Sequence, residues 1–169
     1  GMDCVRTRRI VLGVVTAGLV LAGCASKPEG VLIPFQGPIS GTSVVDLVVA
    51  TTRVADDIDP GYLFSGERAD QMAFAEISVS IPPDSVRKTG EIQWPSKLPP
   101  DPATEFVTVT ADRVDEKAAM ARVDAELKEN AARHVLVFIH GYNNRFESAV
   151  YRLAQIVHDS NAPVGPVLF

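Results

Sequence analysis

The sequence predicts an α/β fold, a mixed and mostly parallel sheet with flanking helices, and three stretches carry that prediction. In "HVLVFIHGYNNRFESAVYRLAQIVHD", residues 134–159, the consecutive apolar residues 135–139 read as a strand buried on both faces, and apolar residues at helical spacing follow. "PVGPVLF", residues 163–169, is a second apolar run, so strand, helix and strand make a βαβ crossover, the connection that joins parallel strands. "FAEISVSIP", residues 74–82, instead alternates apolar and polar residues, as a half-buried strand antiparallel to its neighbour does.

At the N-terminal end, Arg6, Arg8 and Arg9 precede an apolar run over 10–23. A basic flank, a short apolar run and small residues at its end describe a secretory leader; a membrane-spanning helix needs about 20 apolar residues. The ending "LAGC", 21–24, resembles the lipobox of bacterial lipoproteins, whose leader is cut before a cysteine that then carries lipid. On that resemblance residues 1–23 are a signal peptide and Cys24 is the lipidated mature N-terminus, the chain's attachment to a membrane. Ala25, rather than Asp, resembles the outer-membrane sorting pattern, which implies a location in the bacterial cell envelope on the periplasmic face. Cys4 would leave with the leader, so no disulfide framework is expected.

Residues 24–42 mix Pro, Gly and small polar residues and read as a tether with little regular structure, so the folded domain is placed at 43–169. "SVVDLVVATTR", 43–53, is β-branched and apolar, a buried strand. "VADDIDPGYLFSGER", 54–68, holds Asp-Pro-Gly and Ser-Gly signals and is expected to be a loop. In the strand at 74–82, Phe74, Ile77, Val79 and Ile81 are expected to face the core, and Pro82 and Pro83 stop it. The long Pro-rich connection that follows contains Trp94, expected to pack the connection onto the domain. Residues 106–114 form a third strand. The helix after it places Met120, Val123, Leu127 and Ala131 on one face, with Asp115 and Glu116 at the end where the helix dipole favours negative charge.

Composition sets outer limits. With 169 residues, 46% hydrophobic and 22% charged, the chain suits one globular domain. Its net charge of -5 and dispersed basic residues exclude a nucleic-acid interface, which needs a basic stripe or patch. Three histidines without H-x-x-x-H spacing, and no paired cysteines, give no metal site, and no cofactor is expected.

Chemistry concentrates at "HGYN", 140–143, where an apolar strand turns into a helix. At the C-terminal edge of a parallel sheet such a turn is where ligands are met. Gly141 allows tight backbone geometry and leaves space above it, and the N–H groups that follow point outward toward negative charge. In acyl transfer such an N–H stabilises the oxyanion of the tetrahedral intermediate, and losing one donor costs about 2.7–4 kcal/mol. Residues 144–147, "NRFE", fit a capping box in which the Asn144 side chain caps the helix and Glu147 reaches back.

"VLVFIHGYN" before an amphipathic helix resembles the strand, oxyanion loop and first helix of the α/β-hydrolase superfamily. Taken in order, "VVDLVVATTR", "LFSGER", "FAEISVSIPP", "GEIQWPS", "DPATEFVTVTADR" and the 135–159 stretch resemble a bacterial group of esterase/lipase-like α/β-hydrolases, often lipoproteins. The resemblance runs from about residue 44 to residue 169. It implies that His140 and Gly141 shape the oxyanion loop, that Tyr142 donates its backbone N–H, and that Asn143 and Asn144 brace the turn. His140 is expected to be structural, its ring bonded to neighbouring backbone, because the superfamily's catalytic base follows the nucleophile and the acid.

The nucleophile elbow G-x-S-x-G does not occur in residues 1–169. Ser40 and Ser65 precede the oxyanion strand, Ser148 falls inside the helix, and Ser160 just after it. His158, near the helix end, is expected to meet the last helix carbonyls. No catalytic Ser, acid or His is therefore assigned. The expectation is the N-terminal portion of a longer lipid-anchored hydrolase, acting on a small-molecule or lipid ester when complete and inactive as it stands. The terminal strand is expected to leave an open edge. The alternative is a non-catalytic envelope lipoprotein whose sheet presents a binding surface.

Overall fold

The computed structural model describes residues 28–131, 133–141 and 143–169; the leader, Cys24 and Tyr142 lie outside them. The elements are β1 (Ser43–Ala55), β2 (Phe64–Ile81), a 3-10 turn (Asp84–Val86), β3 (Val107–Val114), α1 (Glu116–Glu129), β4 (His134–Phe138), α2 (Phe146–Ser160) and β5 (Val164–Leu168). They make one five-stranded sheet in the order β3-β2-β1-β5-β4. β2 pairs antiparallel with β1 and with β3, whereas β5 pairs parallel with both β1 and β4. Four strands thus point one way and β2 alone runs against them, the mixed sheet with flanking helices that the sequence predicts.

The pleat sorts the side chains. Val45, Leu47 and Val49 of β1, with Ala75, Ile77, Val79 and Ile81 of β2, pack under Val150, Tyr151, Leu153 and Ala154 of α2. On the other face α1 lies so close to β5 that a Cβ on Gly165 would come within 3.0 Å of the Glu126 Cβ. Each fully buried Val, Leu or Ile contributes about 1.5–3 kcal/mol, so this layer is the main cohesive element. α1 is capped by Asp115, whose carboxylate accepts from Ala118 N at 2.7 Å.

Several boundaries and faces differ from expectation. The loop expected over 54–68 shrinks, because Phe64 is buried edge-to-face against Phe146 at 5.1 Å and draws residues 64–68 into β2. Phe74 is only half-buried: it has opposite parity to Ile77, and Ala75 takes the core position. In α1 the buried residue is Ala119, whereas Met120 points outward with 45% of its surface exposed. β4 is not buried on both faces. It forms the sheet edge with β5 as its single neighbour, and Val137 is 54% exposed. The open edge belongs to β4, while β5 is an interior strand.

The segment expected as a tether is irregular but packed from residue 31 on. Val31 and Leu32 are buried, Leu32 N donates to Gly61 O (3.0 Å) and Phe35 N to Thr108 O (2.9 Å). Trp94 does fasten the Pro-rich connection, stacking on Tyr151 with centroids 5.2 Å apart. Arg87 fastens it further along α2 by pairing with Asp159.

Candidate functional site

β1, β4 and β5 bring their C-terminal ends together, and a cavity of about 870 Å³ opens there. Its walls include Arg53 from β1, Ser65 and Arg68 from β2, His140 and Gly141 from the turn after β4, and Phe169. The start of α2 closes the far side through Asn143 to Glu147. This is the edge of a parallel array where strand ends leave space for a ligand.

The turn after β4 is held by backbone. Phe169 N donates to Phe138 O (2.9 Å) and His140 N to Phe169 O (3.3 Å). The His140 ring folds back on its own loop, with Nδ1 3.1 Å from Gly141 O. A carbonyl only accepts, so this bond requires the proton on Nδ1. The left-handed residue is Asn143 (φ 66), a conformation Asn tolerates better than most side chains. Gly141 is not left-handed, and a Cβ there would meet only Asn144 Nδ2 at 3.7 Å. Its contribution is open space toward the cavity. Tyr142, whose N–H the resemblance singled out, lies outside the described residues.

The expected capping box does not form. α2 starts at Phe146 with Arg145 as N-cap, and no side chain bonds the exposed amides from that position. The N-cap falls on Arg145, whose donor-only side chain cannot accept from a helix amide, and both residues before the helix are tied elsewhere. The Asn144 carbonyl accepts from Arg53 Nη2 (2.9 Å), and Arg145 pairs with Glu29 (2.6 Å). The N-cap side chain therefore bonds no first-turn amide, and the Glu147 carboxylate takes its own backbone N–H instead, at the cavity wall where the positive helix end favours negative charge.

Charge around the cavity is unevenly satisfied. Arg53 also donates to Ser65 O (3.3 Å), and burial, with Arg68 nearby, pulls its basicity down while Glu147 opposes that. Glu147 is 3% exposed, its Oε1 has no hydrogen-bond partner, and burial raises its pKa above the ordinary carboxylate range. Glu29 is held low by hydrogen bonds from Tyr62 and Arg145, and the Tyr62 hydroxyl is pushed up to about 12 by its bond to Glu29.

Among the described residues no serine is hydrogen-bonded to a histidine. Ser65 Oγ accepts from Glu67 N, Ser148 lies on α2 beside a smaller cavity of about 350 Å³, and Ser160 donates to Val157 O. His158 does not reach the helix carbonyls with its ring; Nε2 lies 3.0 Å from Asp84 Oδ1. No group of His, Cys, Asp and Glu among the described residues is arranged to hold a metal.

The structure gathers His140, Gly141 and Asn143 at one cavity and adds three residues that the sequence did not flag: Glu29, Arg53 and Glu147. Arg53 had a faint signal, a lone cation ending an apolar strand. The other two had none, because Glu29 sits in a Pro-Gly stretch and Glu147 fits a helix cap.

Residues 115–169 match the model of a family described as "Alpha/beta hydrolase of unknown function (DUF900)". No curated protein and no solved structure matches the chain.

Proposed function

We propose, from the match of residues 115–169 to a family of α/β-hydrolases, that this end of the sheet is the charge-stabilising half of an acyl-hydrolase site. In this reading His140, Gly141, Tyr142 and Asn143 form the oxyanion loop of an esterase- or lipase-like enzyme. The chain is held in the bacterial envelope, on the periplasmic face of the outer membrane, by lipid on Cys24. The observation that carries it is the cavity itself: the start of α2, which receives no side-chain bond from its N-cap residue, and the open side of Gly141 share one wall of it.

Each part has a role in acyl transfer. Amide donors there stabilise charge as it develops on a carbonyl oxygen, and they need no reorganisation because β4 and α2 hold them. His140 acts on the backbone, not on substrate: its ring fixes the Gly141 carbonyl and so the direction of the following amide. Arg53 fixes the Asn144 carbonyl in the same manner. The nucleophile, acid and base are not assigned to any of residues 1–169.

Two measurements test this. Titrating the protein with butyrate, a stand-in for the acyl product, should shift the backbone amide resonances of residues 141–148 above all others; unchanged resonances there would sink the oxyanion assignment. Assayed on a short-chain p-nitrophenyl ester, the 169-residue chain should give no turnover above buffer. Turnover abolished by Ser65→Ala or Ser148→Ala would instead place a nucleophile in this chain.

A second reading is a binding lipoprotein without catalysis. It is favoured by Ser65 Oγ being engaged with Glu67 N. Butyrate binding without any ester turnover, in a gene whose reading frame adds no elbow, would select it.

A further inference from the structure

The chain enters its packed body at the cavity end of the sheet. Glu29 is part of the cavity wall: Oε2 accepts from the Tyr62 hydroxyl at 2.7 Å, and Oε1 pairs with Arg145 at 2.6 Å. The next residue, Gly30, lies backbone to backbone against Gly61, where a Cβ would stand 2.5 Å from Gly30 O. Val31 and Leu32 then bury themselves. The chain continues past Thr108 to Ser43, the far end of β1, and that strand returns over roughly 40 Å. Position 29 is therefore fixed at the end of the molecule that holds the cavity mouth, and Ser43 at the opposite end.

Cys24 lies five residues before Glu29. Such a stretch spans at most about 18 Å, whatever its conformation. A lipid on Cys24 thus keeps the cavity end beside the bilayer, and the Ser43 end of β1 lies about 40 Å from that end. The loop against which Gly30 packs also carries Ile58, 96% exposed. The acids around it are engaged with the protein: Asp56 accepts from Ile58 N and Asp59 N, Asp59 from Gly61 N, and Asp57 pairs with Arg113. An apolar side chain projects from that tip, and the neighbouring carboxylates, though Asp57 and Asp59 are exposed, are each engaged by a backbone N–H or an arginine.

We propose that the face bearing the cavity mouth, Glu29 and Ile58 docks on the lipid surface to which the chain is anchored, so that the site receives an acyl ester presented by the bilayer. This rests on lipidation of Cys24 and on the acyl-site reading above; what it adds is the orientation, and with it the substrate's phase. The short strap is the orienting device.

The mature chain has no cysteine other than Cys24, so single labels are unambiguous. Ile58→Cys and Ser43→Cys, each carrying a fluorophore on the full-length acylated protein in phosphatidylethanolamine/phosphatidylglycerol vesicles, are compared for quenching by nitroxide-headgroup lipid. Quenching should be at least threefold stronger at position 58. Inserting about twenty Gly/Ser residues between Ser26 and Lys27, a spacer with an end-to-end distance of about 25 Å, should abolish the difference. Equal quenching, or stronger quenching at position 43, with Cys24 acylated by mass spectrometry, overturns the orientation and leaves the anchor standing. A difference that survives the spacer overturns the strap's role. An unacylated Cys24 overturns both the anchor and the orientation, and the butyrate titration still judges the acyl site separately.

Discussion

At the C-terminal end of α2, Asp159 accepts from Arg87, from Gly90 N and from Gln155, and Arg87 also reaches Asp84, Gln93 and the Glu91 carbonyl. At the N-terminal end of the same helix, Glu147 is buried with one oxygen unpartnered, and the N-cap residue gives the first turn no side-chain bond. Both ends bury charge; only one satisfies it. A fully satisfied network fixes a long connection onto the domain, whereas unsatisfied polar groups in a folded protein mark strain or a place where a ligand completes the bonding. The contrast separates the part of α2 that stabilises the fold from the part that faces the cavity.

Breaking the satisfied end should have the largest effect. The Arg87 side chain is 1% exposed and Asp159 9%, so Arg87→Ala leaves a nearly buried carboxylate without its cation and should cost about 3 kcal/mol in urea unfolding. A cost below about 1 kcal/mol would mean the connection is held by Trp94 instead. Tyr151→Phe should cost about 1 kcal/mol by removing the hydroxyl contact to Thr108 Oγ1, while leaving the Trp94 stack intact.

The unsatisfied end should respond with the opposite sign. Glu147→Met removes a desolvated carboxylate and should stabilise the protein by about 1 kcal/mol at pH 7. A loss of stability would show that Arg53 and Arg145 compensate the charge and would erase the contrast between the ends. Smallest of all, Ile139→Ser at an exposed position should change stability by no more than about 0.5 kcal/mol.

Acid titration distinguishes the two ends without mutation. Burial alone would raise Asp159, but its bonds to Arg87, Gly90 N and Gln155 outweigh that and bring it from 3.8 to about 2. Its stabilisation is therefore complete above pH 3.8 and is lost as pH falls toward 2. Glu147 is raised by burial, so in the folded state it holds its proton more tightly than in the unfolded chain. Its burden appears as pH rises from the ordinary carboxylate range through the raised value, and Glu147→Met should gain less at pH 4 than at pH 7. An unchanged gain across that range would show that Glu147 does not titrate there.

How far the sequence reached depended on whether a signal was local. β1, β3, β4, β5 and both helices were legible because period-2, continuous and helical apolar patterns reflect which side chains leave water. The HGYN turn was legible for the same reason: it interrupts an apolar strand just before a helix. Phe64 was misassigned because Asp-Pro-Gly and Ser-Gly are turn chemistry, while the pull into β2 comes from Phe146, more than eighty residues later. The cap at 144–147 fitted its pattern and failed because α2 begins at Phe146, which puts the donor-only Arg145 at the N-cap and leaves Glu147 on its own backbone N–H.

By itself the sequence determined the α/β class, the crossover, the turn that holds His140 and Gly141, and the lack of a nucleophile elbow within residues 1–169, since each is a pattern of neighbours. Only the tertiary structure decided that β4 is the edge, that Glu147 goes under cover with an unpaired oxygen, and that residue 29 closes the cavity wall. Those outcomes depend on which strands pair and which remote charges meet. That competition is settled by burial and by contacts far apart in the chain, for which a linear pattern has no term.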